Sequence, residues 1–305
     1  MTQMVLPNNK TWRRYCTKNG ICINEKCEDI IEKYVRKNYE GMIQLVFTSP
    51  PFPLNRAKRY GNLEGEAYKE WLCSVGNQLK SLLTPTGSIV VEIGNAWNSG
   101  EPTFSTLPLE TLLEFKNRCE LYLCQEFIYY NPARLPGPIE WVNKKRIRVK
   151  DAFTRIWWMS TTPYPFANNK NVLEEYSMQM NKLLNSGKYN SGKRPSEHNI
   201  SESAFSIDNG GAIPYNVIIA PNTDSRDKYL KGCKSKGLPI HPARMPHQIP
   251  EFFIKMLTHP QDIVLDCFSG SNTTGFCSEN LNRRWISIEA DKDYYQGSKY
   301  RFRRE

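Results

Sequence analysis

One stretch limits the fold of this chain more than any other: Ile263-Val264-Leu265, a short apolar run, passes directly into Asp266-Cys267-Phe268-Ser269-Gly270-Ser271-Asn272-Thr273-Thr274. A helical pattern follows, and then a second apolar run over 285–288 that ends at Glu289. Strand, turn, helix and strand in this order are the signature of a parallel βαβ unit. Open α/β sheets bind ligands at the carboxyl ends of such strands. Gly270 lets a ligand approach the backbone, and the helix start behind it offers unpaired N–H groups. Glu289 lies about 20 residues beyond Gly270, where a carboxylate can hold ribose hydroxyls. A lone glycine turn would be only a tight turn, but the whole arrangement predicts a nucleoside-bearing ligand. The G-x-G-x-x-G spacing of dinucleotide sites is absent. Asn272 stands where a second glycine is expected, and Asn is among the few other residues that tolerate the left-handed region.

A second βαβ unit lies near the other end. Met42-Ile43-Gln44-Leu45-Val46-Phe47 reads as a buried parallel strand that stops at Pro50-Pro51. Tyr68, Trp71, Leu72, Val75, Leu79, Leu82 and Leu83 recur at helical spacing until Thr84-Pro85-Thr86-Gly87, and Ser88 to Ile93 forms the next strand. Further elements are expected over 121–130 and 153–160, the second an alternating, aromatic-rich stretch that fits a strand, with a helix over 250–258 and another over 274–281. From 165 to 237 the chain turns rich in Asn, Ser, Gly and Lys, with apolar islands such as Val217-Ile218-Ile219 and the anchors Tyr176, Phe205 and Tyr215, which predicts an inserted lobe.

Composition narrows the function classes. The 305 residues carry 41 Lys and Arg against 31 Asp and Glu, a net charge of +10 that favours a polyanionic partner. The nine cysteines are scattered without zinc-ligand spacing, so no metal site is expected and the thiols read as reduced packing residues. No signal-like apolar region opens the chain and no run approaches ~18 apolar residues, so neither export nor membrane spanning is expected, and the anticipated location is the cytoplasm.

The residues after the first strand, Thr48-Ser49-Pro50-Pro51-Phe52, suit chemistry on a planar amine. The lone pair of such an amine is delocalised into its ring. Two acceptors aimed at its N–H bonds draw the nitrogen toward tetrahedral geometry and free that pair. Ser49 Oγ can be one acceptor and the Pro50 carbonyl the other, held in direction by the restricted prolines. Phe52 can stack on the ring, an interaction worth ~1–3 kcal/mol at base-stacking sites. By itself Ser-Pro-Pro is equally a strand terminator, and its meaning depends on the distant Gly270 turn.

Together, Thr-Ser-Pro-Pro-Phe and Asp-x-Phe-x-Gly-Ser-x-Thr-Thr resemble the amino-methyltransferases of bacterial restriction–modification systems, in particular the N4-cytosine group. His241-Pro242-Ala243-Arg244-Met245-Pro246, the segments 87–95 and 208–214, and Ile156-Trp157-Trp158-Met159-Ser160 extend the likeness over most of 43–295. The resemblance implies a Rossmann-like S-adenosylmethionine-dependent fold. Its mostly parallel seven-stranded sheet would carry helices on both faces, in circularly permuted order, with an inserted target-recognition region. On that plan 1–164 is the catalytic half, 165–240 the target-recognition region and 241–305 the cofactor half. Ser49, Pro50, Pro51 and Phe52 would be catalytic. Thr48, His241, Pro242, Asp266, Phe268, Ser269, Gly270, Ser271, Asn272, Thr273 and Glu289 would bind S-adenosylmethionine. One departure is Asn24-Glu25-Lys26-Cys27-Glu28-Asp29, which stands where the family often has Gly-Asp.

The implied partner is double-stranded DNA whose target cytosine is flipped from the stack, with a restriction endonuclease of the same specificity as a possible companion. No Pro-Cys dipeptide is present to attack a ring carbon, so direct transfer to an amine is expected. Lys144, Lys145, Arg146 and Arg148, in a basic stretch with Trp141, Lys150 and Arg155, are the expected DNA contacts; Arg194, Arg226, Lys231 and Lys234 lie in the lobe. His198 and His247 are expected to be structural. Adenine N6 methylation, modification of a protein glutamine amide and a catalytically silent binding module are the competing readings.

Overall fold

The computed structural model describes residues 4–7, 11–52, 63–186, 192–197, 199–201, 207–223 and 227–302. Phe205, Arg226 and His198 lie outside the described residues. The chain forms two compact units, 1–167 with 216–305 and the smaller Asn168–Tyr215.

In the larger unit, β1 (Arg13–Cys16) and β2 (Gly20–Asn24) form a hairpin, followed by a helical stretch from α1 (Cys27–Ile30) to α2 (Lys37–Tyr39). Next come β3 (Ile43–Thr48), α3 (Gly65–Lys80), β4 (Leu83–Gly94), α4 (Leu107–Arg118), β5 (Tyr122–Tyr130) and β6 (Phe153–Ser160). The smaller unit holds α5 (Met178–Ser186) and the two short paired strands β7 (Gly192–Lys193) and β8 (Asn199–Ile200). The larger unit resumes with β9 (Val217–Ile219), α6 (Lys228–Ser235), α7 (Gln248–Leu257), β10 (Ile263–Asp266), α8 (Thr273–Asn280), β11 (Arg284–Ile288) and α9 (Lys292–Ser298).

Among the described residues the main sheet has nine strands in the order β1-β2-β11-β10-β3-β4-β6-β5-β9. The expected seven gain an edge strand at each end, because β1 folds back on β2 and β9 pairs in parallel with β5. The pairings from β2 through β11, β10 and β3 to β4 are all parallel, whereas β6 runs antiparallel to both neighbours.

Alternation along β3 explains why all six of its residues are buried. Val46 joins the core cluster that contains Tyr68 and Leu72 of α3, while Phe47, one position on, packs against Phe253 of α7 at 5.6 Å. Helices therefore cover both faces, which is what lets this strand read as a continuous apolar run.

Two differences from the sequence reading have local causes. β4 begins at Leu83 rather than Ser88, because Thr84–Gly87 joins the strand across an irregularity in its pairing with β3, where Ile43 meets Leu83 but Leu45 meets Ser88. Such an irregularity accommodates Pro85, which has no N–H for the ladder. The compact lobe is also narrower than 165–240: Val217–Ile219 extends the main sheet, and Arg301, near the chain's end, pairs with Asp227 at the start of α6. Among the described residues no helix is long and apolar enough to cross a membrane.

Candidate active site

β3 and β10 are neighbours in register, Leu45 beside Val264 and Val46 beside Leu265, so the two sequence motifs emerge side by side from the carboxyl edge of the sheet. A hydrogen bond ties the strand ends together: Thr48 Oγ1 donates to Asp266 Oδ1 at 2.9 Å. Asp266 also accepts the Phe268 N–H at 3.1 Å. Burial still dominates and pushes its carboxyl up to about 6.

Beyond β10 the chain turns through Gly270 at φ +49°, where a Cβ would stand 2.9 Å from His241 Nε2. Only glycine meets both demands, the left-handed backbone and the close approach of the imidazole. Glu289 closes this turn from the end of β11. Its Oε2 accepts the Gly270 N–H at 2.6 Å and its Oε1 the Asp291 N–H at 2.7 Å. Desolvation raises its carboxyl to about 7 against the pull of those two bonds. His241 is set by the Tyr229 hydroxyl, which accepts its backbone N–H at 2.8 Å, and its ring meets Tyr294 edge-on at 4.6 Å.

On the β3 side, the Tyr68 hydroxyl donates to the Pro51 carbonyl at 2.7 Å and fixes the second proline. The Phe52 ring lies over the end of β4, where a Cβ on Gly94 would come within 2.5 Å of it. Behind the Ser49 loop, Glu92 of β4, only 6 % exposed, accepts a hydrogen bond from Thr154 Oγ1 at 2.9 Å, and its carboxyl is influenced by the Ser49 hydroxyl. Burial raises the Glu92 carboxyl, while the two hydroxyls and the Arg134 charge oppose the shift.

These groups face one cleft of about 510 Å³, within the range of small-molecule sites. Of the residues expected there, Ser49, Pro50, Pro51, Phe52, His241, Asp266, Phe268, Ser269, Gly270, Ser271 and Glu289 line it. Thr48, Pro242, Asn272 and Thr273 do not. Thr48 is spent on Asp266, and Pro242 is exposed outside the cleft. Thr273 Oγ1 turns toward the Met245 carbonyl, 3.4 Å away. Asn272, at φ 55°, caps α8: its Oδ1 accepts from Gly275 N at 3.1 Å and Ser287 Oγ at 2.7 Å. An N-cap asparagine satisfies helix N–H groups and so faces inward.

Sequence reasoning missed Lys26, Cys27, Glu28, Trp71 and Tyr294 on the cleft wall, and Glu92 behind Ser49. Trp71 donates to Glu28 Oε1 at 2.6 Å and packs on Phe268 with ring centres 5.4 Å apart. The signal for Glu92 was a lone carboxylate in the apolar run Ile89-Val90-Val91-Glu92-Ile93.

The expected DNA contacts separate. Lys144, Lys145, Arg146 and Arg148 are exposed on the loop 131–152 between β5 and β6. Lys144 pairs with Glu140 at 3.1 Å, Lys145 sits 4.4 Å above the Trp141 ring, and Arg148 Nε donates to the Pro102 carbonyl at 2.9 Å. Arg155 belongs to β6, bound to Asn95 Oδ1 and lying 3.4 Å from Glu126. Arg194 is in the smaller unit, beside β7. His247 precedes α7, and its carbonyl accepts the Glu251 N–H.

A family model described as DNA methylase, covering N6 and N4 enzymes, matches residues 43–300, a span that contains both motifs and the sheet between them. The chain belongs to this DNA methylase family. The methylase is 43% identical to the type II methyltransferase M.PvuII of Proteus hauseri, over 94% of this chain and 85% of the relative. It is 26% identical to M.BglII of Bacillus subtilis, over 84% and 62% respectively. Among solved structures, PvuII DNA methyltransferase (cytosine-N4-specific) matches with a TM-score of 0.76 and 37% identity, covering 95% of the methylase and 88% of that chain. The M1.HpyAVI–SAM complex, at 18% identity and a TM-score of 0.58, shares the fold.

Proposed function

We propose that this methylase transfers a methyl group from S-adenosylmethionine to the N4 amine of a cytosine flipped out of duplex DNA. The observation that carries the reading is the single cleft into which Ser49-Pro50-Pro51-Phe52 and the Gly270–Glu289 turn both open. A relative at 37% identity is described as cytosine-N4-specific, which favours cytosine over adenine.

The residues present fit the cofactor. Gly270 lets the His241 ring close on the turn, Glu289 offers acceptor lone pairs for ribose hydroxyls, and Phe268 and Trp71 supply an aromatic wall. When bound, S-adenosylmethionine supplies an electrophilic methyl group on a positively charged sulfur. Everything else is done by the chain. Glu92 takes the Ser49 proton into a hydrogen bond, which turns the lone pairs of Ser49 Oγ toward the cleft and the amine. The Pro50 carbonyl accepts the second amine N–H. Phe52 stacks on the ring and holds the amine in line. As the amine loses a proton, Ser49 Oγ receives it and its own proton passes to the Glu92 carboxylate. Rate therefore comes from positioning and electrostatics.

Lys144, Lys145, Arg146 and Arg148 serve the phosphates, and Arg194, with the lobe expected over 165–240, serves target recognition. The protein acts in the cytoplasm on nucleoid DNA, and a restriction endonuclease cutting the same site is its expected companion. The test is expression in a host lacking DNA methylation, followed by nucleoside mass spectrometry and methylation-sensitive sequencing of plasmid DNA. N4-methylcytosine at one recurring sequence is the expected product. N6-methyladenine would move the reading to the other amine, and absence of any modified base would overturn it.

A further inference from the structure

The loop 131–152 carries two aliphatic side chains almost wholly in water, Leu135 at 83 % and Val149 at 86 % exposure. Isolated exposed leucines and valines are ordinary, but these two sit together on a braced loop. Its base is closed by Asn131 N–H to the Ala152 carbonyl at 2.9 Å and by Asp151 N–H to the Gly137 carbonyl at 3.2 Å. Lys150 Nζ reaches from the Val149 limb to the Arg134 carbonyl, next to Leu135, at 3.4 Å. The two apolar side chains therefore lie on limbs joined at the loop's base, and the loop also carries Arg134, Arg146, Arg148 and Lys150.

The loop is also fastened to the active site. Asn95 Nδ2 donates to Asp151 Oδ1 at 2.9 Å, and Asn95 directly follows Gly94, the residue that seats the Phe52 ring. Arg134 donates to the Phe153 carbonyl at 3.4 Å, and its charge is felt by Glu92 behind Ser49. Exposed aliphatic groups on a cation-rich loop match a duplex in two ways: the cations meet phosphates, and the aliphatic groups enter the base stack.

We propose that Leu135, backed by Val149, is the wedge that enters the duplex and fills the space left by the flipped target base. The inference rests on the proposed function above. A base that leaves the stack costs a few kcal/mol, and a wedge offsets part of that cost only while the base is out. Its removal thus slows methylation of an intact duplex more than it weakens duplex binding.

The test uses the full-length enzyme and an oligonucleotide containing its mapped site, once fully paired and once with a mismatch at the target cytosine. The variants are Leu135→Ala and the double change Leu135→Ala with Val149→Ala. On the paired duplex, kcat/KM is expected to fall roughly tenfold or more, the magnitude set by losing part of the unstacking compensation. On the mismatched duplex, where the target is already loosened, the loss is expected to shrink toward none, with S-adenosylmethionine affinity unchanged. A fluorescent cytosine analogue at the target should brighten with the unchanged enzyme and much less with the double variant. Equal rates for variant and unchanged enzyme on the paired duplex would overturn the wedge, as would equal losses on both duplexes. An unchanged enzyme that modifies no DNA base would instead bring down the underlying reading.

Discussion

In the proposed reaction, Ser49 works with Glu92, a residue that no motif announces. The serine alone is a modest acceptor whose hydroxyl proton competes for the direction in which the amine must donate. In the proposed mechanism, donation of that proton to Glu92 removes the competition. Ser49→Ala is therefore expected to lower kcat by about 10²–10³, the magnitude for deleting one preorganised hydrogen-bonding group at a reacting centre, with cofactor affinity retained. Glu92→Gln separates positioning from proton acceptance. The amide still accepts from Ser49 but takes no proton, so kcat is expected to fall while KM for DNA stays near its original value. The kcat of the unchanged enzyme should rise with pH as the buried carboxylate ionises, and this limb should vanish in the variant. A Glu92→Gln enzyme with the original pH profile would refute the proton-accepting role. At this scale the sequence pointed to Ser49 and Gly270 from residue type and setting, whereas Glu92 showed only as a lone carboxylate in an apolar run and nears Ser49 only once β4 lies beside β3.

At the level of elements, strand ends and one loop prepare the site. β4 ends in Gly94 because the Phe52 ring occupies the space of a Cβ. Gly94→Ala is expected to destabilise the protein by about 1–3 kcal/mol, as overpacking does, and to raise KM for DNA as the stacking ring is displaced. Thermal unfolding together with steady-state kinetics would check both effects. The β5–β6 loop makes a separate prediction. Replacing Lys144, Lys145 and Arg146 together by Ala should weaken duplex binding and flatten its dependence on salt, by up to ~0.9 in the logarithmic slope for each phosphate no longer neutralised. Because Lys144 and Lys145 also pair with Glu140 or Trp141, part of their charge is already compensated and a smaller change is expected for them than for Arg146. An unaltered slope would remove this stretch from the DNA interface. The central strands and their helices were legible because β3, β10 and β11 are buried runs bounded by turn residues. The edge strands β1 and β9 were not, since their exposed and half-buried residues form no buried run.

For the whole molecule, the cofactor half stores a pH dependence. Burial raises Asp266 to about 6 and Glu289 to about 7. Folded-state values above the unfolded ones mean that between about 4 and 7 the folded chain holds more protons, so stability is highest at the acidic end and falls as pH rises through this window. The cofactor-free protein is expected to lose Tm between pH 5 and 7.5 as measured by calorimetry, and Glu289→Gln should flatten the curve. Affinity for S-adenosylmethionine should move in the opposite sense, rising through about pH 7, because the carboxylate is the better acceptor for ribose hydroxyls. A Tm that climbs over that range would contradict the assignment. On the proposed reading these trends oppose each other because one carboxylate is costly to the empty fold and useful to the cofactor-bound one. Local sequence was enough to read the two βαβ units, the glycine turn with its terminal carboxylate and the Ser-Pro-Pro-Phe loop, since each follows from short-range periodicity and backbone restriction. Which residues face the cleft was settled in three dimensions. Packing turned Asn272 and Thr48 inward to satisfy a helix end and a buried aspartate, and it brought Glu92 to Ser49. Those outcomes depend on pairing between strands far apart in the chain, and short-range patterns do not encode that pairing directly.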